Sequence, residues 1–137
     1  KSAPHMGWIL GFATMASLGL PGLAGFWGEF PAILSAYNPG AGLSEELFRT
    51  YMVIAAIGTV LAAGYLLWLY QRTAFGEPTE EFADQEIPDV SRNEWIAWVP
   101  FLIGIVLFGV WPNLIFNLTD GVVSSITANV EAVVAGR

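Results

Sequence analysis

Three long stretches of the chain carry no Asp, Glu, Lys or Arg: Met6 to Gly28, Thr50 to Gln71 and Trp95 to Thr119. Each reaches the roughly 20 residues that an α-helix needs to cross a bilayer core. The pattern therefore predicts an all-α membrane protein with three spans. The divisions it suggests are an N-terminal loop and discontinuous transmembrane helix over 1–38, and a turn and second transmembrane helix over 39–73. An acidic loop follows over 74–93, then a third transmembrane helix over 94–113 and an amphipathic tail over 114–137.

The first apolar stretch opens as a helix near Gly7 and then meets Ser17-Leu-Gly-Leu-Pro-Gly-Leu-Ala-Gly25. Gly19, Pro21, Gly22 and Gly25 remove helix propensity in the middle of an apolar run, so a break is expected there, non-helical between Leu18 and Gly22. Bare backbone at membrane depth persists only where protein or water covers it, which argues for a larger bundle around the break. A second half-helix is expected from Leu23 to Tyr37.

Asn38-Pro-Gly-Ala-Gly42 is a turn, and Ser44-Glu-Glu-Leu47 before an apolar run is a capped helix start. In the second span Gly58 and Ala62 form a small-xxx-small pair, as Gly7 and Gly11 do earlier, a spacing that lets a second helix approach. Pro100 should bend the third span and Pro112 end it. Beyond it Leu114, Leu118, Val122, Ile126, Val130 and Val133 recur at steps of three or four, with Asn117, Asp120, Ser124 and Glu131 between them. That is the stripe of an amphipathic helix lying at an interface or against a partner.

Composition sharpens this picture. Hydrophobic residues make up 55% of the chain and charged ones 12%, against about 45–50% apolar in soluble domains. The net charge of -7 is concentrated between Glu77 and Glu94, as expected of a solvated loop, and gives no footprint for nucleic acid. With no cysteine and one histidine, iron–sulfur ligation, thiol catalysis and a multi-histidine zinc site have no residues to build on here. Five tryptophans, Trp8, Trp68, Trp95, Trp98 and Trp111, fall near predicted span ends, where an indole keeps its N–H wet. Trp27 is the exception. Lys1, Arg72 and Arg92 against Arg49 and Arg137 place the N-terminus on the cytoplasmic side.

Glu29 is the only ionisable side chain between His5 and Glu45. An acid at the centre of a membrane helix costs about 2.5–3.5 kcal/mol on insertion scales, so it is a functional candidate and belongs toward the bundle interior or water. A low-dielectric environment favours the neutral form of a carboxyl, which is what a proton relay inside a membrane uses. Pro31 has no N–H for the carbonyl of Trp27, so free backbone groups should gather near this acid. The bland reading is that Glu29 sits near an interface or pairs with a base on a neighbouring helix. His5 reads as a solvated loop residue. Thr14, Ser17 and Thr59 are positioned to line a water path, although hydroxyls in spans more often bond their own helix carbonyls.

The stretch Ala16-Ser-Leu-Gly-Leu-Pro-Gly-Leu-Ala-Gly-Phe-Trp-Gly-Glu-Phe30 resembles the antiporter-like membrane subunits of respiratory complex I, in particular the subunit M branch. The likeness continues through Leu69-Tyr-Gln-Arg-Thr-Ala-Phe-Gly76, Asp89-Val-Ser-Arg-Asn-Glu-Trp95 and Phe108-Gly-Val-Trp-Pro112, nearly the whole chain. The resemblance implies the C-terminal end of a fourteen-helix subunit, from its broken twelfth helix onward, with the earlier helices and their glutamate and lysines outside this sequence. It makes Glu29 the terminal proton-carrying residue of the second half-channel, since a glutamate here is characteristic of subunit M where related subunits carry lysine. Pro31 departs from the ordinary helix former found in many relatives.

The implied activity is proton translocation coupled to NADH oxidation and quinone reduction elsewhere in the complex. The chain itself needs no cofactor; NADH, flavin, iron–sulfur clusters and quinone belong to partner subunits. Its implied partners are the other membrane-arm subunits, including neighbouring antiporter-like ones, and its implied location a prokaryotic cytoplasmic membrane. The rival readings are the same fold in a multisubunit sodium/proton antiporter, a membrane-bound hydrogenase or a photosynthetic NDH complex, and a noncatalytic membrane scaffold.

Overall fold

The structure, a computed structural model, describes residues 3–40, 42–77 and 88–135. Among these residues every regular element is helical: α1 (Pro4–Ser17), α2 (Ala24–Ser35), α3 (Glu45–Ala74), α4 (Arg92–Val110) and α5 (Asn113–Ala135). Half of the expected acidic loop, residues 78–87, lies outside the described residues.

Local chemistry sets the boundaries. α1 starts three residues before the expected Gly7 because Pro4 occupies its first turn, where a missing N–H costs nothing and the fixed φ suits a helix. His5, expected in a loop, is therefore helical. α3 runs through 30 residues, about 45 Å at 1.5 Å per residue, and so overshoots a bilayer core of about 30 Å at its polar ends. Ser44 starts it by accepting a hydrogen bond from the Leu47 N–H. Arg49 lies one turn on, paired with Glu45 at 2.8 Å and stacked 4.9 Å over the Tyr37 ring, which ties the start of α3 to the turn after α2.

α4 opens with a complete capping box. The Ser91 hydroxyl accepts from the Glu94 N–H, and the Glu94 carboxylate accepts from the Ser91 N–H at 2.7 Å. Pro100 sits inside this helix without ending it, and Pro112 separates it from α5. α3 and α4 are each long and apolar enough to cross a membrane.

The surface tells which solvent the chain is built for. A compact protein of 14.8 kDa would expose about 7,000 Å², whereas this chain exposes 10750 Å². Ile9 is the one buried hydrophobic residue among those described, while Val60, Leu61, Phe101 and Val110 are two-thirds exposed or more. Such apolar walls suit lipid and neighbouring helices rather than water. Within the chain, α2 packs against α4 and α1 against α3. The second contact is close: a Cβ on Gly11 would lie 2.6 Å from the Tyr70 hydroxyl, so the small residue admits the aromatic one. Gly58 and Gly7 meet no atom within 4 Å, so neither draws a second helix close within this chain.

Candidate functional site

The site is built around the segment between α1 and α2. α1 stops at Ser17, and Gly19 follows at φ 65 with its N–H bonded to the Ala16 carbonyl, a left-handed residue just past a helix end. Leu20-Pro21-Gly22-Leu23 then closes a turn through a Leu23 N–H to Leu20 carbonyl bond of 3.1 Å. Pro at its second position and Gly22 at φ 92 in its third are what a type II turn requires. Leu23, extended at φ -116 and ψ 154, caps α2. Gly25, grouped on sequence with the break, is instead inside α2. Its small size serves another end, because a Cβ there would collide with the Ala16 carbonyl oxygen.

Glu29 lies one turn further along α2, and its carboxyl folds back toward this segment. A Cβ on Gly19 would be 3.0 Å from Glu29 Oε2. The ion pairs among the described residues are His5 with Asp89 and Arg49 with Glu45, so no described base neutralises Glu29. In this chain Glu29 is exposed. Pro31, two residues on, is inside the helix and leaves the Trp27 carbonyl without its usual donor.

The opposite face of α2 rests on α4. Gly109 is buried, and a Cβ there would collide with the carbonyl of Gly22 and with Leu23 Cα, so only glycine lets the turn settle on α4. The Trp27 indole N–H donates to the Gly109 carbonyl at 2.7 Å, and its ring meets Phe26 and Phe116 edge-on. A cavity of about 230 Å³ lined by Ala24, Gly28, Phe108 and Pro112 flanks this contact. Reading the sequence alone did not find Gly109, because its role exists only in the tertiary contact. The signal available was Trp27, the tryptophan away from span ends.

The other polar cluster joins α1 to the segment before α4. Asp89 accepts from the His5 and Met6 N–H groups, each at 3.1 Å, from its neighbour Val90, and from His5 Nδ1 at 2.5 Å. It thereby caps α1 from 84 positions away. Desolvation pushes the Asp89 carboxyl up, but the N–H groups of Val90 and His5, the His5 ring and the Met6 N–H outweigh it and hold the acid well below the usual carboxylate range. Two of the three hydroxyls considered for a water path bond their own helices, Thr14 to the Leu10 carbonyl at 2.7 Å and Thr59 to that of Ala55 at 3.2 Å. No cluster of three metal-ligating side chains occurs among the described residues.

Helices alone among the described residues, two of them long and apolar enough to cross a membrane, define a class, that of α-helical membrane proteins. No protein-family model matches the chain. Curated relatives do. Over 129 residues, 94% of this chain and 23% of the relative, it is 33% identical to NADH-quinone oxidoreductase subunit M of Rhodobacter capsulatus. It is 32% identical over 126 residues to NADH-ubiquinone oxidoreductase chain 4 of Marchantia polymorpha, covering 92% of this chain and 24% of that one. A third relative, NADH-quinone oxidoreductase subunit M of Rickettsia felis, is 35% identical over 106 residues, 77% of this chain and 20% of its own length. The chain belongs to this family of NADH-quinone oxidoreductase membrane subunits, and it spans about a quarter of the length of the curated relatives it matches.

Proposed function

We propose that this chain is the C-terminal part of a subunit M-type protein and that Glu29 is its proton-carrying carboxyl. On this reading α1 and α2 are two halves of one interrupted membrane span, and α5 is an interfacial or partner-packing helix. Protons cross the membrane through the subunit, driven by NADH oxidation and quinone reduction in partner subunits that hold the flavin, iron–sulfur clusters and quinone. The partners are the remaining membrane-arm subunits, neighbouring antiporter-like ones among them, and the setting is a prokaryotic cytoplasmic membrane.

The observation that carries this reading is the placement of the Glu29 carboxyl against left-handed Gly19, with no described cation to hold it ionised. A relay acid must gain and lose a proton in each cycle, which a permanent ion pair opposes. The interruption beside it exposes backbone groups that helical bonding would otherwise consume, the kind of surface on which a water chain can reach a carboxyl.

The test is NADH-driven proton pumping in membrane vesicles carrying the full complex with wild-type Glu29, Glu29→Gln or Glu29→Asp at equal assembly. Gln keeps the shape and removes the titratable proton, so pumping should fall by about 10²-fold or more, and Asp should retain part of it. Unchanged pumping with Gln would leave the noncatalytic scaffold as the better reading.

A further inference from the structure

Three features hold α2 in place, and each touches a different part of it. Gly25 lies against the end of α1, the turn at Gly22 and Leu23 rests on Gly109, and the Trp27 indole bonds the Gly109 carbonyl. Successive helical residues are turned by about 100°, so Trp27 and Glu29, two positions apart, point to nearly opposite sides of α2. Whatever fixes Trp27 on α4 therefore fixes where Glu29 points.

We propose that Trp27 and Gly109 form a latch that sets the roll of α2 about its axis and so aims the Glu29 carboxyl at the interruption; both are positioning residues, and the inference rests on Glu29 being the proton carrier. The chemistry of the latch is specific. Gly109 is the next-to-last residue of α4, so its carbonyl is one of those a helix end leaves without an internal partner. In an apolar setting that carbonyl and the indole N–H each lack water, and the 2.7 Å bond between them satisfies both. A Cβ at position 109 would lift the turn off α4, and loss of the indole N–H would free α2 to rotate. Either change moves the carboxyl without altering its chemistry. Gly25 stops rotation from the other side but has no side chain with which to form a directional bond, so the polar bond is the element that selects one roll angle.

The experiment uses the whole complex in membrane vesicles. Trp27→Phe keeps an aromatic ring for Phe26 and Phe116 but removes the donor; Gly109→Ala keeps the donor and obstructs the seat. Pumping, pH profile and protons moved per NADH oxidised are measured per assembled complex, which separates aim from folding. Trp27→Phe should lower pumping about fivefold, the effect of one lost hydrogen bond, and should displace the pH profile. Gly109→Ala should displace it in the same sense, and decides the matter if Trp27→Phe does not assemble. In a Glu29→Asp background, Trp27→Phe should lower pumping by less than half its effect in wild type, because the two changes act on one group. An unmoved pH profile and an unchanged proton-to-NADH ratio in both variants, or full additivity with Glu29→Asp, would overturn the latch. Normal pumping by Glu29→Gln would defeat the proton-carrier reading and the latch together, whereas an impaired Glu29→Gln beside an unaltered Trp27→Phe would defeat the latch alone.

Discussion

α3 and the α1–α2 pair meet an apolar environment in opposite ways. α3 is self-sufficient: it starts on its own Ser44, runs 30 residues without interruption, and the hydroxyls of Thr50 and Thr59 bond carbonyls one turn back. No residue of it is buried, and Gly58 and Gly64 meet open space. The α1–α2 pair is held from outside. Its start is capped by Asp89 from the segment before α4, its turn rests on Gly109, and the first turn of α2 touches the last carbonyls of α1. A continuous helix pairs its backbone internally and tolerates lipid on all sides, whereas an interrupted one requires neighbours that satisfy what the interruption frees. Glu29 lies beside that interruption.

If the pair depends on close backbone approach and α3 does not, bulk at the approach should be the most damaging change. Gly25→Val should cost about 3 kcal/mol, since its side chain would overlap the Ala16 carbonyl oxygen with no flexible neighbour to give way. Gly58→Val in α3, facing open space, should cost well under a third of that within this segment. Thermal stability of the subunit in detergent reads both.

A smaller loss is expected from Gly19→Ala. At φ 65 an alanine costs about 1–2 kcal/mol, and its methyl would press on the Glu29 carboxyl. Pumping per assembled complex should therefore fall more than stability does, a split that pumping and thermal denaturation measured side by side reveal.

Asp89→Ala should have the smallest effect, confined to the start of α1. Faster amide exchange is expected at His5 and Met6 and none at Leu47, whose cap is local. The wild-type bond depends on acid. Because the folded-state pKa of Asp89 is depressed, its contribution is present above the ordinary carboxylate pKa and disappears as pH falls through the lower, folded value. Protection of these two amides should thus be flat near neutrality and decline only in strong acid.

Much of this was legible locally. The uncharged run from Thr50 to Gln71 and the Ser44 start announce α3, and Trp95 to Trp111 announces α4, because helix length, capping and charge are properties of adjacent residues. Gly19, Pro21 and Gly22 also speak locally, since a left-handed helix end selects Gly19 and a type II turn selects Pro21 and Gly22. Gly25 misled because glycine in sequence does not distinguish a turn from a tight contact. The importance of Gly109 was out of reach because it depends on Trp27, 82 positions away, whereas the early start of α1 had a local signal in Pro4. Glu29 stands out in the sequence by its isolation, but nothing in its sequence neighbours indicates that its carboxyl lies against Gly19.

Whether Glu29 exchanges a proton during turnover can be read directly by infrared difference spectroscopy of the whole complex, reduced by NADH against oxidised, with glutamate carboxyls labelled with carbon-13. A protonated-carboxyl band that appears or vanishes between the two states, shifts with the label, and is absent in Glu29→Gln is the predicted result. A difference spectrum in the carboxyl region identical between wild type and Glu29→Gln would contradict the assignment of Glu29 as the proton carrier.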